Sequence, residues 1–181
     1  MKYCAFLRGV NVNGTSMKMA DVCHVFTEAG MKQVSSVLAS GNILFTSDKS
    51  PAELKVILEQ AMSGHFNFEA FLFLRNDKQV LEMLENNPFE NSAEKHIYIF
   101  TGVDDVEEVL LSAFENSGKT EGELGRVVSG TFYWQVPKGD TLASSFGKVL
   151  GKKSMKDKMT SRNINTFEKI LKKFGNDAEI H

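Results

Sequence analysis

The sequence predicts an α+β protein: a ferredoxin-like β-α-β-β-α-β sandwich over residues 1–90, followed by a second, smaller α+β half over residues 91–181. Three features carry this expectation. Tyr3 to Leu7 is almost continuously apolar, as a strand covered on both faces must be. Val34 to Ala39 and Ile43 to Thr46 are strand-like runs joined through Ser40-Gly41-Asn42, a hairpin signal. Around them, apolar residues recur at helical spacing, which gives the split βαβ order.

Taken in order, the first strand ends at Arg8, and Gly9, Asn11, Asn13 and Gly14 follow before Ser16, which can cap a helix. That helix carries Met19, Val22, Cys23 and Phe26 on one stripe and stops at Gly30. After the hairpin, Ser50-Pro51-Ala52-Glu53 has the capping-box pattern with Pro at the first helical position. Leu54, Ile57, Leu58, Ala61 and Met62 form the stripe behind it. Phe68 to Leu74 supplies an aromatic fourth strand ending at Arg75.

The second half reads as less regular. Val80, Leu81 and Leu84 mark a short helix that Asn87-Pro88-Phe89 terminates, since Pro cannot continue it. His96 to Thr101 is a strand, and Val106, Val109, Leu110, Ala113 and Phe114 form another helical stripe. Arg126 to Val128 and Phe132 to Val136 pair through Ser129-Gly130, which puts Tyr133 and Trp134 on opposite faces. A helix around Phe146, Val149 and Leu150 leads into a basic loop. The last helix carries Phe167, Ile170, Leu171 and Phe174 at helical spacing and stops at Gly175.

Composition narrows the function classes. At 181 residues with 42% hydrophobic content the chain can bury a real core, and only the last few residues, 176–181, read as disordered. No signal-peptide pattern or membrane-length apolar run is present, so a cytoplasmic protein without a membrane partner is expected. Cys4 and Cys23 read as buried thiols, and the four histidines have no ligand spacing, so neither metal nor cofactor is predicted. Ser117-Gly118-Lys119-Thr120 resembles the tail of a P-loop, but Ala113 stands where the loop's first glycine belongs.

Charge is unevenly spread within a formal net charge of −2. From Gly147 to Lys173 nine lysines and arginines face only Asp157 and Glu168, while Asp104 to Glu123 is acidic. The basic stretch supports a nucleic-acid-binding module as the alternative reading, helped by exposed sheet aromatics.

Two polar groups single themselves out as a binding site for an anionic small molecule, phosphorylated or carboxylated. In the first, Arg8 places a permanent cation at a strand end, with Asn11 and Asn13 as amide donors and acceptors beside a helix start. In the second, Thr160-Ser161-Arg162-Asn163 precedes the last helix, for which Asn165 and Glu168 form a capping box. Arg8 and Arg162 are expected to act as charge clamps, and Asn11, Asn13, Ser161 and Asn163 to orient the ligand. The same topology leads us to expect the Ser40-Gly41-Asn42 turn and Arg75 at the end of the sheet away from Arg8.

Tyr3 to Val12, Ser40-Gly41-Asn42-Ile43-Leu44-Phe45, Asn87-Pro88-Phe89 and Thr160-Ser161-Arg162-Asn163-Ile164-Asn165-Thr166 together resemble the mainly bacterial family catalogued as domain of unknown function 1697. Its pattern is Y-x-A-F-L-R-G-(I/V)-N-V-G-G, then S-G-N-(V/I)-x-F, N-P-F and T-x-R-N-W-N-T. The chain departs at Asn13, where the family commonly has Gly, and at Ile164, where it commonly has Trp. The resemblance implies an α+β fold and carries no activity with it.

Overall fold

The computed structural model describes residues 1–12, 15–67 and 69–178, and divides the chain into two compact units. The first is Met1–Leu81 with Glu168–His181, the second Glu82–Phe167. Among the described residues no helix is long and apolar enough to cross a membrane.

The first unit is built from β1 (Lys2–Arg8), α1 (Met19–Glu28), β4 (Lys32–Ser36), β5 (Asn42–Thr46), α2 (Pro51–Phe66) and β6 (Phe71–Asn76), with a two-residue pair β2 (Asn11–Val12) and β3 (Thr15–Ser16) after β1. Its antiparallel sheet has the order β4-β5-β1-β6, the ferredoxin-like arrangement. Tyr3, Ala5 and Leu7 point to the face covered by Val22 and Phe26 of α1 and Leu54 and Leu58 of α2. Ser16 lies in β3, so it does not cap α1. Lys18 holds that position and makes no side-chain cap.

The second unit is more regular than its sequence suggests. β7 (Lys95–Gly102), α4 (Val106–Glu115), β8 (Leu124–Val128), β9 (Thr131–Pro137), α5 (Ser145–Leu150) and β10 (Met159–Asn163) repeat the β-α-β-β-α-β order. Their antiparallel sheet, β10-β7-β9-β8, has the same arrangement as the first. A helix follows each fourth strand: α3 (Asp77–Glu85) after β6 and α6 (Ile164–Ala178) after β10, the latter running on through Gly175 instead of stopping there.

The repeat extends to side chains. Tyr3 opposite Phe45 corresponds to Tyr98 opposite Trp134, and the rings stack alike, with centroids 5.6 and 5.5 Å apart. Each tyrosine hydroxyl meets the loop before the second helix, at Lys49 O in one unit and Thr141 Oγ1 in the other. Both fourth strands end in Arg-Asn: Arg75-Asn76 and Arg162-Asn163. In each case Nη1 of the arginine donates to the preceding carbonyl, at 2.7 Å and 2.8 Å.

Turn chemistry fixes both hairpins. Ser129 and Gly130 both have positive φ, as the tight turn between β8 and β9 requires. Gly41 has φ +91°, and a Cβ there would come within 2.7 Å of Val10 and 2.9 Å of Leu7. Asn87 takes both polar atoms of Phe89's backbone onto its side chain, which makes Asn87-Pro88-Phe89 a self-contained turn under the buried Phe89 ring. Lys119 donates to the carbonyls of Glu115 and Ser117, so Ser117 to Thr120 acts as a connector.

Candidate functional site

The stretch expected to be a loop before the last helix is instead β10, paired antiparallel with β7 so that Ser161 lies opposite Phe100 and Asn163 opposite Tyr98. Strand alternation therefore divides the expected cluster. Ser161 and Asn163 point to one face, and Arg162 points to the other. Arg162 is only 7% exposed, and its Nη1 donates to Thr160 Oγ1 and Ser161 O, both at 2.8 Å.

Asn163 also replaces Asn165 as the residue that starts α6. Its Oδ1 accepts the Asn165 N–H at 3.0 Å, the bond an N-cap side chain makes to the second helical residue. With Oδ1 committed, Nδ2 faces Nδ1 of His96 at 3.1 Å. An amide nitrogen can only donate, so Nδ1 is the acceptor and the hydrogen of the neutral ring belongs on Nε2.

These residues border an open cavity of about 240 Å³ at the start of α6. Lys95, His96 and Lys138 line it, with Asn91 and Ser92 on one side and Asn163, Ile164 and Asn165 on the other. No carboxylate is among the lining residues, and neither lysine forms an ion pair among the described residues. Lys95 and His96 are consecutive in β7, so their side chains leave opposite faces of the strand, and the Lys95 ammonium lies beside Gly122, which is not among the lining residues. The Lys138 ammonium beside amide and hydroxyl donors favours a ligand with negative charge and several acceptor atoms.

In the first unit the geometry corrects one expectation. β1 and β5 run antiparallel with Phe6 opposite Asn42, so the turn before β5 lies at the same sheet end as Arg8. Leu7 N donates to Gly41 O at 2.8 Å across that end. Arg75, opposite Cys4, lies toward the other end as expected. Asn42 is fully buried and donates to Val37 O and Ser40 Oγ, so the Ser40-Gly41-Asn42 motif is accounted for by its own loop. Arg8 closes β1 opposite Phe71. Asn11 is described only through its backbone in β2, and Asn13 lies outside the described residues.

Sequence reasoning missed Lys95, His96 and Lys138. They come from the first residues of β7 and the residue after β9, and only the register of the two strands with β10 brings them beside Asn163. A local motif could not have shown this. The available signal was that three polar strand ends had to share one end of a sheet.

A family model described as "Protein of unknown function (DUF1697)" matches residues 1–133. That stretch includes Lys95 and His96, while Lys138 and Asn163 lie beyond it. Among solved structures, the chain is similar to the conserved bacterial protein SP0830 from Streptococcus pneumoniae, with 28% identity and a TM-score of 0.75. The similarity covers 94% of this chain and 97% of that one. No curated protein matches.

Proposed function

The chain belongs to the DUF1697 family of proteins of unknown function, and from that premise we propose that it binds a small anionic metabolite in the cavity at the start of α6. One observation carries the reading: Lys138, His96 and Asn163 line one space that has no lining carboxylate. In this reading Asn163 keeps its orienting role, Ser161 lies two residues before it on the same strand face, and Lys138 supplies the charge that the sequence pattern puts on Arg162. At about 240 Å³ the space suits a compact ligand, below the roughly 300–1,000 Å³ of pockets for drug-sized molecules.

The nucleic-acid alternative requires aromatic faces on which bases can stack. Phe100, Phe132 and Trp134 are 3%, 1% and 1% exposed, so the sheet of the second unit offers none of these rings. The exposed lysines at 152, 153 and 158 leave only a salt-sensitive charge attraction.

Thermal unfolding in the presence of inorganic phosphate, malonate and sugar phosphates tests the proposal. A ligand at ten times its Kd should raise Tm by roughly 3–5 °C, and the Lys138→Ala variant should lose the rise. Arg8→Ala separates this reading from one centred on Arg8, Asn11 and Asn13. If that variant alone loses the stabilisation, the ligand belongs to the first unit's loop.

A further inference from the structure

We infer that Asn163 sets the tautomer of His96, so that the cavity meets its ligand with a neutral imidazole N–H donor at Nε2. The inference rests on the anion-binding reading of this cavity and assigns its selectivity. Asn163 has one acceptor atom and one donor group. The acceptor is held by the Asn165 N–H at the first turn of α6. Turning the amide over would set its NH2 against that N–H and lose the cap. The donor group must therefore face His96, 3.1 Å away, and the tautomer with hydrogen on Nδ1 would set donor against donor.

His96 is held from the other side as well. It is the second residue of β7, where the register with β9 places it opposite Val136, and its ring lies 5.8 Å from that of Tyr98. Nε2 has no hydrogen-bond partner among the described residues, although the ring lines the cavity. The site thus offers the Lys138 ammonium and one fixed N–H donor. That set matches a compact anion such as a phosphate monoester or a short carboxylate, with an acceptor oxygen toward His96. A ligand presenting a donor at that point is rejected, because it would leave two facing N–H or O–H groups unpaired.

Histidine-labelled protein observed by long-range proton–nitrogen NMR reads the tautomer without any ligand. The neutral His96 ring should show hydrogen on Nε2 in the wild type. Asn163→Asp keeps an oxygen for the Asn165 N–H but places a second acceptor against Nδ1, so the hydrogen should move to Nδ1. Binding of inorganic phosphate supplies the second readout. His96→Gln, which keeps an N–H near the position of Nε2, should retain affinity within about threefold, and His96→Phe should lose about tenfold.

A wild-type ring with hydrogen on Nδ1, or one unmoved by Asn163→Asp, overturns the inference while leaving anion binding intact. Equal phosphate affinity in His96→Gln and His96→Phe overturns the selectivity role. Absence of phosphate binding in a protein with the expected tautomer overturns the cavity reading instead.

Discussion

Gly41 illustrates how much a motif-like triplet can owe to packing. Its left-handed φ and the 2.7 Å approach of Val10 leave no room for a Cβ, so Gly41→Ala should destabilise the protein by about 1–3 kcal/mol in chemical denaturation. No ligand is needed to account for the motif. Asn163 teaches the opposite lesson. Its helix-capping role was legible as a residue type, but the sequence pointed to Asn165, because only Asn165 has a glutamate three positions on. What moved the cap was β10, which continues through Asn163 and leaves α6 to begin at Ile164.

Tyr133 makes a residue-scale prediction about pH. Burial pushes its hydroxyl from 10.0 up to about 12, and its O–H donates to Met83 O at 2.7 Å. Below pH 10 the phenol is neutral in both folded and unfolded chains, so stability is fully present. Between about pH 10 and 12 the unfolded chain ionises first, and stability should fall as pH rises. Tyr133→Phe should flatten that fall in denaturation curves across the window. An equally steep alkaline loss in the variant would assign it to other groups.

At the scale of elements, α2 was the most legible. The Ser50 to Glu53 pattern predicted a capping box, and the structure has both halves: Ser50 Oγ accepts the Glu53 N–H, and Glu53 Oε2 accepts the Ser50 N–H at 3.0 Å. Ser50→Ala should cost about 1 kcal/mol, read as a lower denaturation midpoint with an unchanged slope. The backbone bond from Ser50, then its hydroxyl, lowers the Glu53 carboxyl below its ordinary value. The box therefore contributes above the unfolded-state pKa and weakens as pH falls through the lowered one. β10 was illegible for a physical reason. Its sequence, Met-Thr-Ser-Arg-Asn, is mostly polar, yet Met159, Thr160 and Arg162 are buried. Hydrophobic periodicity fails where a buried strand face is built from hydroxyls and a guanidinium bonded to each other.

For the whole molecule, the sequence led to the fold class and the first unit's strand order, because each element there carries a strong local signal. It concealed the repeat of that plan in the second unit. The matched pairs Tyr3 and Tyr98, Phe45 and Trp134, Arg75 and Arg162, Asn76 and Asn163 become visible only once strand register aligns them. The candidate site was half legible. Asn163 lines the cavity, Ser161 shares its strand face without lining it, Arg162 turns away from that face, and His96 and Lys138 join through long-range pairing. Mapping amide shifts as inorganic phosphate is titrated into nitrogen-labelled protein tests the central claim most directly. The account predicts changes centred on Ser92, Lys95 to Ile97, Lys138 and Asn163 to Asn165. Changes spread instead along the exposed lysines between 148 and 158, or concentrated beside Arg8, would contradict it.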